Sequence, residues 1–215
     1  MASSQPPRYS RALESADGHA GGESSSCHTL ARCRNHGNPF SGNSTGRQLR
    51  RHLDCMGGFV ATLLYGLPRA TSDLDVLLIA PGEQRAALLE LGIRGGALHK
   101  KYKVFLDYVG VARVPEDYEE RLTEMFPGVY KHLRICALDP YDLALSKLER
   151  NIQRDRDDVK HPAQSVPLDL QILKDRYEKE LRWQLGNPKR EDLTLKLWTE
   201  MIEEERSGAA GRGNP

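Results

Sequence analysis

The sequence contains no long hydrophobic run: none of its apolar stretches approaches the roughly 20 residues that a transmembrane helix needs. Its N-terminus carries no apolar segment of the kind found in a secretory signal. An excess of one charge sign is also lacking, because the formal net charge is only +1. Nothing therefore draws the whole chain toward nucleic acid or an anionic membrane. These absences predict a soluble, cytoplasmic protein with no membrane partner.

Cysteine is scarce as well, with 4 residues in 215, which is too few for a disulfide scaffold. Cys27, Cys33 and His36, with His28 beside them, invite comparison with a zinc site. Their spacing matches no standard zinc knuckle, however, and structural sites usually show closely paired cysteines. We interpret this group as a chance placement in a polar segment.

The composition changes along the chain and divides it into four parts. Residues 1–46 are rich in Ser, Gly, Pro and Arg, and such a segment cannot bury enough apolar surface to fold. We therefore expect a disordered tail there, and a second flexible tail at 207–215. Between them we expect a catalytic core at 47–138 and a helical region at 139–206.

Hydrophobic periodicity and turn residues predict the order of the secondary structure. The first part of the chain predicts helices over 59–64, 83–91 and 117–126 and strands over 74–80, 103–112 and 133–138.

Asp139 and Pro140 then supply an N-cap and a first-turn proline for a further helix. Two more helices are predicted over 168–185 and 192–205, whereas the charged QRDRDDVKH before them is interpreted as a turn. A small sheet followed by a helical C-terminal half predicts an α+β fold, or an α/β fold with a helical appendage.

Two aspartates stand at the start of an otherwise apolar strand. Asp73 and Asp75 are two residues apart, so their side chains project from the same face of that strand. Two adjacent carboxylates repel each other, and a hard cation such as Mg²⁺ relieves the repulsion. Asp107 lies in the next predicted strand and completes a cluster of three carboxylates if the two strands are neighbours. The alternative is structural: Asp73 caps a turn and Asp75 pairs with Arg69 or another cation.

Gly57 and Gly58 directly precede a predicted helix. Glycines allow a ligand to approach the backbone closely, and the start of a helix offers unpaired amides to phosphate. No Gly-Lys-Ser/Thr follows, so this is not a Walker loop. A phosphate cradle beside a carboxylate metal site is the arrangement that nucleoside triphosphate chemistry requires.

The stretch GGFVATLLYGLPRATSDLDVLL resembles the signature of the polymerase-β-like minimal nucleotidyltransferases, in which a Gly-Gly or Gly-Ser pair opens a helix and an Asp-x-Asp strand follows. Residues 69–75 are similar to the Arg-x-Thr-x-Asp-x-Asp form of the abortive-infection toxin branch (AbiEii type) and its uncharacterised relatives. DLALSKLER at 142–150 and RDRDD at 154–158 are similar to that branch too. The resemblance covers residues 56–158. This chain departs from the family pattern directly before Gly57, where the family has an apolar strand and the sequence here is the polar and basic RQLRRHLDCM.

The resemblance implies a small mixed sheet flanked by helices and a set of roles for individual residues. The metal ligands for two Mg²⁺ ions would be Asp73, Asp75 and Asp107. The nucleotide-binding residues would be Gly57, Gly58, Arg69, Thr71 and Lys147. The catalytic set would comprise Asp73, Asp75, Asp107, Lys147 and, as a late acidic residue, Asp158 or alternatively Asp155. The structural alternatives are a solvated surface lysine at 147 and a salt-bridged turn around Asp155, Asp157 and Asp158.

By this resemblance the protein is a metal-dependent nucleotidyltransferase that moves a nucleoside monophosphate from a nucleoside triphosphate to an acceptor. A tRNA or a protein is the expected acceptor if the chain is the toxin of a toxin–antitoxin or phage-defence system, with a cognate antitoxin as partner. One alternative is an antibiotic-modifying nucleotidyltransferase. Another is a non-catalytic antitoxin or binding module that keeps the fold, although the three retained carboxylates argue against it.

Overall fold

A computed structural model describes residues 51–166 and 168–211 of the chain. The predicted N-terminal tail and the group of Cys27, Cys33 and His36 lie outside these residues.

A mixed five-stranded sheet forms the N-terminal half of the described chain. Its strands are β1 (Arg51–Met56), β2 (Asp73–Ala80), β3 (Phe105–Tyr108), β4 (Thr123–Met125) and β5 (Leu133–Ala137). They follow the order β3-β2-β1-β5-β4. β1 pairs antiparallel with β2 and parallel with β5, β2 pairs parallel with β3, and β4 pairs antiparallel with β5.

Helices flank the sheet and make up the C-terminal half, so the prediction of an α+β fold is confirmed. They are α1 (Gly57–Leu64), α2 (Arg85–Leu91), α3 (Ala97–Tyr102), α4 (Pro140–Leu145), α5 (Gln153–Ser165), α6 (Leu170–Arg176) and α7 (Lys189–Gly211). A π turn (Tyr177–Leu181) continues α6. Within the described ranges, no helix combines the length and the apolar character needed to cross a membrane.

The central strand comes from the polar segment that departs from the family pattern. Leu53 and Cys55 alternate along β1 and are almost completely buried. Asp54, between them, is also fully buried and points to the opposite face of the sheet. Two hydrogen-bonded neighbours, β2 and β5, hold this strand in place. Its position therefore follows from pairing with distant strands and not from an apolar sequence.

Two hydrophobic clusters divide the buried apolar side chains. The first surrounds the sheet and α1 and includes Phe59, Val76 and Ile135. The second joins α4 with the helices that follow it and includes Leu173 and Trp198. Hydrophobic burial of this kind contributes about 1.5–3 kcal/mol for each large side chain that becomes fully buried.

Two predicted elements are wrong, for different reasons. The helix predicted over 117–126 is a short 3₁₀ turn (Tyr118–Arg121) followed by β4. Met125 in β4 is buried because it pairs with Ile135 of β5. The turn predicted at QRDRDDVKH is the start of α5, whose polar sequence gives no apolar period that would have predicted a helix.

Candidate active site

The three predicted carboxylates come together where β2 begins, beside its parallel neighbour β3. These strands are parallel neighbours, and Asp75 lies directly opposite Asp107 in their register. Asp73 lies two residues before Asp75 on β2 and therefore projects to the same face. All three side chains line one cleft of about 290 Å³. The expectation that the second strand brings a third carboxylate is thus met by the sheet topology.

A bulge in β2 determines the face on which these carboxylates lie. The register with β1 shifts between the Asp54–Leu78 pair and the Cys55–Val76 pair, so Leu77 is an extra residue. Because a shift of one residue reverses the faces of a strand, the bulge allows Val76 to be buried while Asp75 opens toward the cleft.

The carboxylates of Asp73 and Asp75 are in different electrostatic environments. Burial, together with the charges of Asp73 and Asp107, raises the pKa of Asp75 to about 6 against the opposing effect of Lys147 and Arg150. Burial also acts to raise the pKa of Asp73, but hydrogen bonds from the Thr71 hydroxyl and from backbone amides outweigh it and lower that pKa. Asp75 is therefore the carboxylate with uncompensated repulsion.

The Gly-Gly pair at the start of α1 lies against the carboxylates. Gly57 has φ +73°, and a Cβ placed on it would lie 1.7 Å from Oδ2 of Asp75. Any side chain at Gly57 would thus collide with the proposed metal ligand while also straining the backbone. A Cβ on Gly58 would lie 3.4–3.5 Å from Thr71 Oγ1 and from the guanidinium groups of Arg69 and Arg154.

Arg69 and Thr71 belong to the segment that leads into β2. The Thr62 hydroxyl of α1 donates a hydrogen bond of 2.9 Å to the Arg69 carbonyl and so fixes this segment against α1. Thr71 is buried, and its hydroxyl donates to Asp73. Asp73 therefore has two contacts. It accepts a hydrogen bond that holds the turn before β2, as the structural alternative expects, and it also faces the cleft, as the metal-ligand prediction expects.

Lys147 follows Ser146, the C-cap residue of α4, whose N-cap is Asp139 as predicted. Its amide donates to the Ala144 carbonyl at 3.0 Å, which extends the helical turn. The side chain is only 6% exposed and lines the cleft. It lowers the pKa of Asp75 through its charge. Lys147 is therefore a buried cation facing the carboxylates and not a solvated surface lysine.

Three arginines that the sequence motifs do not indicate also line the cleft, namely Arg113, Arg150 and Arg154. Asp155 is completely buried and accepts hydrogen bonds of 2.9 and 2.5 Å from Arg150 and one of 3.1 Å from the Ile152 amide. It orients Arg150 from behind and does not line the cleft. The side chain of Asp158 lies outside the described residues. Arg150 lies before α5 and Arg154 within it, so no helical period in the sequence linked the two.

The cleft is therefore acidic on the side formed by β2 and β3 and basic on the side formed by residues 147–154. The mixed sheet, the glycine-led helix and the carboxylates of β2 and β3 match the arrangement that the resemblance to nucleotidyltransferases implies. A family model described as "Nucleotidyltransferase of unknown function (DUF6036)" matches residues 44–206, which is well over half of the chain. The chain belongs to this family. Searches of curated proteins and of solved structures give no significant match.

Proposed function

We propose that this protein is a metal-dependent nucleotidyltransferase that transfers a nucleoside monophosphate from a nucleoside triphosphate to an acceptor hydroxyl. The observation that carries the proposal is the pairing of Asp75 with Asp107 in adjacent parallel strands, with Asp73 on the same face and the glycine-led helix alongside. Family membership supplies the reaction class.

The donor set of the acidic side suits magnesium. Carboxylate oxygens are the ligands that Mg²⁺ takes in phosphate-transferring sites. Burial and the neighbouring carboxylates together raise the pKa of Asp75, and a divalent cation bound between the carboxylates would remove the repulsion. Asp73, Asp75 and Asp107 would hold two ions. When bound, Mg²⁺ supplies Lewis-acid activation of the α-phosphate and of the attacking hydroxyl.

The opposite side of the cleft suits the triphosphate. The guanidinium groups of Arg69 and Arg154 approach Gly58 at the start of α1, where the first amides of the helix have no intrahelical acceptor. Phosphate oxygens accept strong hydrogen bonds from guanidinium groups and from such amides. Lys147 faces the carboxylates and would bind the phosphates from the other side.

In the proposed reaction the acceptor oxygen attacks the α-phosphorus, and the bond from that phosphorus to the bridging oxygen of the β-phosphate breaks. Pyrophosphate leaves with the bonding electrons, and the hydroxyl proton passes to Asp107, the most exposed of the three carboxylates. Lys147 stabilises the charge that develops on the transferred phosphoryl group. Asp158 is the proposed late acidic residue, on the resemblance of RDRDD alone.

The Arg-x-Thr-x-Asp-x-Asp motif at 69–75 supports the further proposal that the acceptor is a tRNA or a protein and that the chain acts as the toxin of a toxin–antitoxin pair. The test is incubation with each α-labelled nucleoside triphosphate, Mg²⁺, and separate RNA and protein fractions of a cell extract. We expect label in one macromolecular fraction, none with Asp75→Asn, and full transfer with the exposed control Asp157→Asn.

Label found only in small molecules, such as an added aminoglycoside, would favour an antibiotic-modifying enzyme instead. The absence of both Mg²⁺-dependent transfer and triphosphate binding would refute the proposed catalytic function and favour a non-catalytic module.

A further inference from the structure

A second cluster of ligand-type side chains lies in the sheet away from the cleft. It comprises His52 and Asp54 on β1 and Cys136 on β5. Asp54 and Cys136 are directly paired in the parallel register of these strands, and His52 is two residues before Asp54 on the same face. One ligand atom from each, an imidazole nitrogen, a carboxylate oxygen and a thiol sulfur, all lie within 4.8 Å of one another. None of the three lines the cleft.

This cluster is buried and its polar groups are incompletely satisfied. Asp54 and Cys136 are fully buried, whereas the His52 side chain is 28% exposed. His52 Nε2 and Asp54 Oδ1 lie 2.5 Å apart, yet among the described residues neither atom has a hydrogen bond of acceptable direction. Burying a carboxylate is costly unless a cation or directed hydrogen bonds compensate it. Asp54 has the ion pair with His52 as its charge contact, and the Cys136 thiol lies beside that pair, so a cation held by all three groups would compensate the buried carboxylate further.

We propose that His52, Asp54 and Cys136 form a binding site for a zinc-class transition-metal ion, separate from the carboxylate cleft. Nitrogen, oxygen and thiolate sulfur are the donors that Zn²⁺ takes, and a thiolate ligand disfavours Mg²⁺ and Ca²⁺. Three protein ligands leave a fourth tetrahedral position for water, which the partly exposed edge of His52 admits.

The geometry needs only a small adjustment to hold such an ion. Zinc bonds of about 2.0–2.1 Å to nitrogen and oxygen separate tetrahedral ligand atoms by roughly 3.3 Å. The imidazole and carboxylate of the His52–Asp54 pair would thus move apart by less than about 1 Å.

The surroundings of the cluster also favour metal binding. The Tyr118 hydroxyl donates to Oδ2 of Asp54 at 3.3 Å, which is the kind of outer hydrogen bond that orients a carboxylate ligand. A bound ion would tie β1 to β5 in the middle of the sheet and would link both to the segment that carries Tyr118.

Cobalt(II) titration of the chelator-stripped full chain tests the proposal, because a thiolate ligand gives a cobalt charge-transfer absorption that carboxylates do not. The matched pair is Cys136→Ala and Cys55→Ala. Cys55 is the other buried cysteine of the described residues and lies on the opposite face of β1. We expect the band at one equivalent in the wild type, in Cys55→Ala and in Asp75→Asn, and its loss in Cys136→Ala. Zinc should displace the cobalt and raise the melting temperature of each variant that shows the band.

His52→Gln changes a partly exposed side chain and provides a second test if Cys136→Ala does not fold. It should weaken cobalt binding strongly, and Tyr118→Phe should weaken it by about 10–100-fold. Absence of the charge-transfer band in the wild type would overturn the proposal. Equal cobalt affinity in wild type and His52→Gln would also overturn it, because the ion would then bind elsewhere.

Discussion

Replacement of Asp75 by asparagine distinguishes a metal ligand from a structural ion-pair partner. The pKa of Asp75 rises from 3.8 to about 6, and each unit corresponds to about 1.4 kcal/mol. The folded protein therefore retains a proton that the unfolded chain releases between about pH 4 and pH 6. Ionisation of this group thus costs up to about 3 kcal/mol, and water in the cleft reduces that penalty to about 1–2 kcal/mol.

The sign of the effect follows from the raised pKa. The stability that Asp75 contributes is present in full below its unfolded pKa and is lost as the pH rises through about 6. In metal-free buffer, Asp75→Asn should therefore be as stable as wild type near pH 4 and more stable by about 1–2 kcal/mol at pH 7.5. Urea unfolding at several pH values in the presence of a chelator measures this difference.

Ligand addition should reverse the order of the two proteins. Mg²⁺ plus a nucleoside triphosphate at a hundredfold excess over the dissociation constant should stabilise the wild type by about 2.7 kcal/mol. The variant should lose most of that gain. The exposed control Asp157→Asn should behave as wild type throughout. If Asp75→Asn instead unfolds at lower urea without metal, and ligand stabilises neither protein, Asp75 is a structural partner and the metal-site reasoning is refuted.

Three further substitutions test other parts of the site. Lys147→Met keeps the volume of this 6%-exposed side chain and should lower the rate of nucleotidyl transfer by roughly 10²-fold with little change in melting temperature, because a positioned charge is lost; an unchanged turnover would contradict this role. Gly57→Ala places a methyl group 1.7 Å from Asp75 Oδ2 and should abolish triphosphate binding in calorimetry, and retained binding would count against the cradle. Asp155→Asn weakens the ion pair that orients Arg150 and should lower the free energy of unfolding by about 1.5–3 kcal/mol while raising KM for the triphosphate. A loss of stability with an unchanged KM would show that this ion pair is purely structural.

The elements that were predicted correctly are those whose signal is local. The apolar run of β2 and the Asp139 N-cap of α4 can be read directly from neighbouring residues. β4 could not be predicted in this way, because its three residues are a strand only through pairing with β5. The same holds for β1, since its burial depends on two partner strands far away in the sequence.

The candidate site, like the fold, could be predicted from the sequence only where the signal is local. Alternation along a strand predicted that Asp73 and Asp75 share a face, but the face itself depends on the bulge at Leu77, which the sequence does not indicate. Arg150 was overlooked because its role depends on Asp155, whose burial follows from the packing of α5 and not from the polar sequence around it.

The two sides of the cleft come from distant parts of the chain, and one is rich in carboxylates while the other is rich in cations. Placing residues 147–154 across from β2 lets Lys147 and Arg150 lower the pKa of Asp75, yet that pKa still stands at about 6. This incomplete neutralisation has a consequence for metal binding. A site whose own cations fully balanced its carboxylates would lose its attraction for Mg²⁺, whereas one without those cations would repel the triphosphate. The residual repulsion at Asp75 is therefore the part of the electrostatic energy that metal binding can release, and the basic side remains available for phosphate.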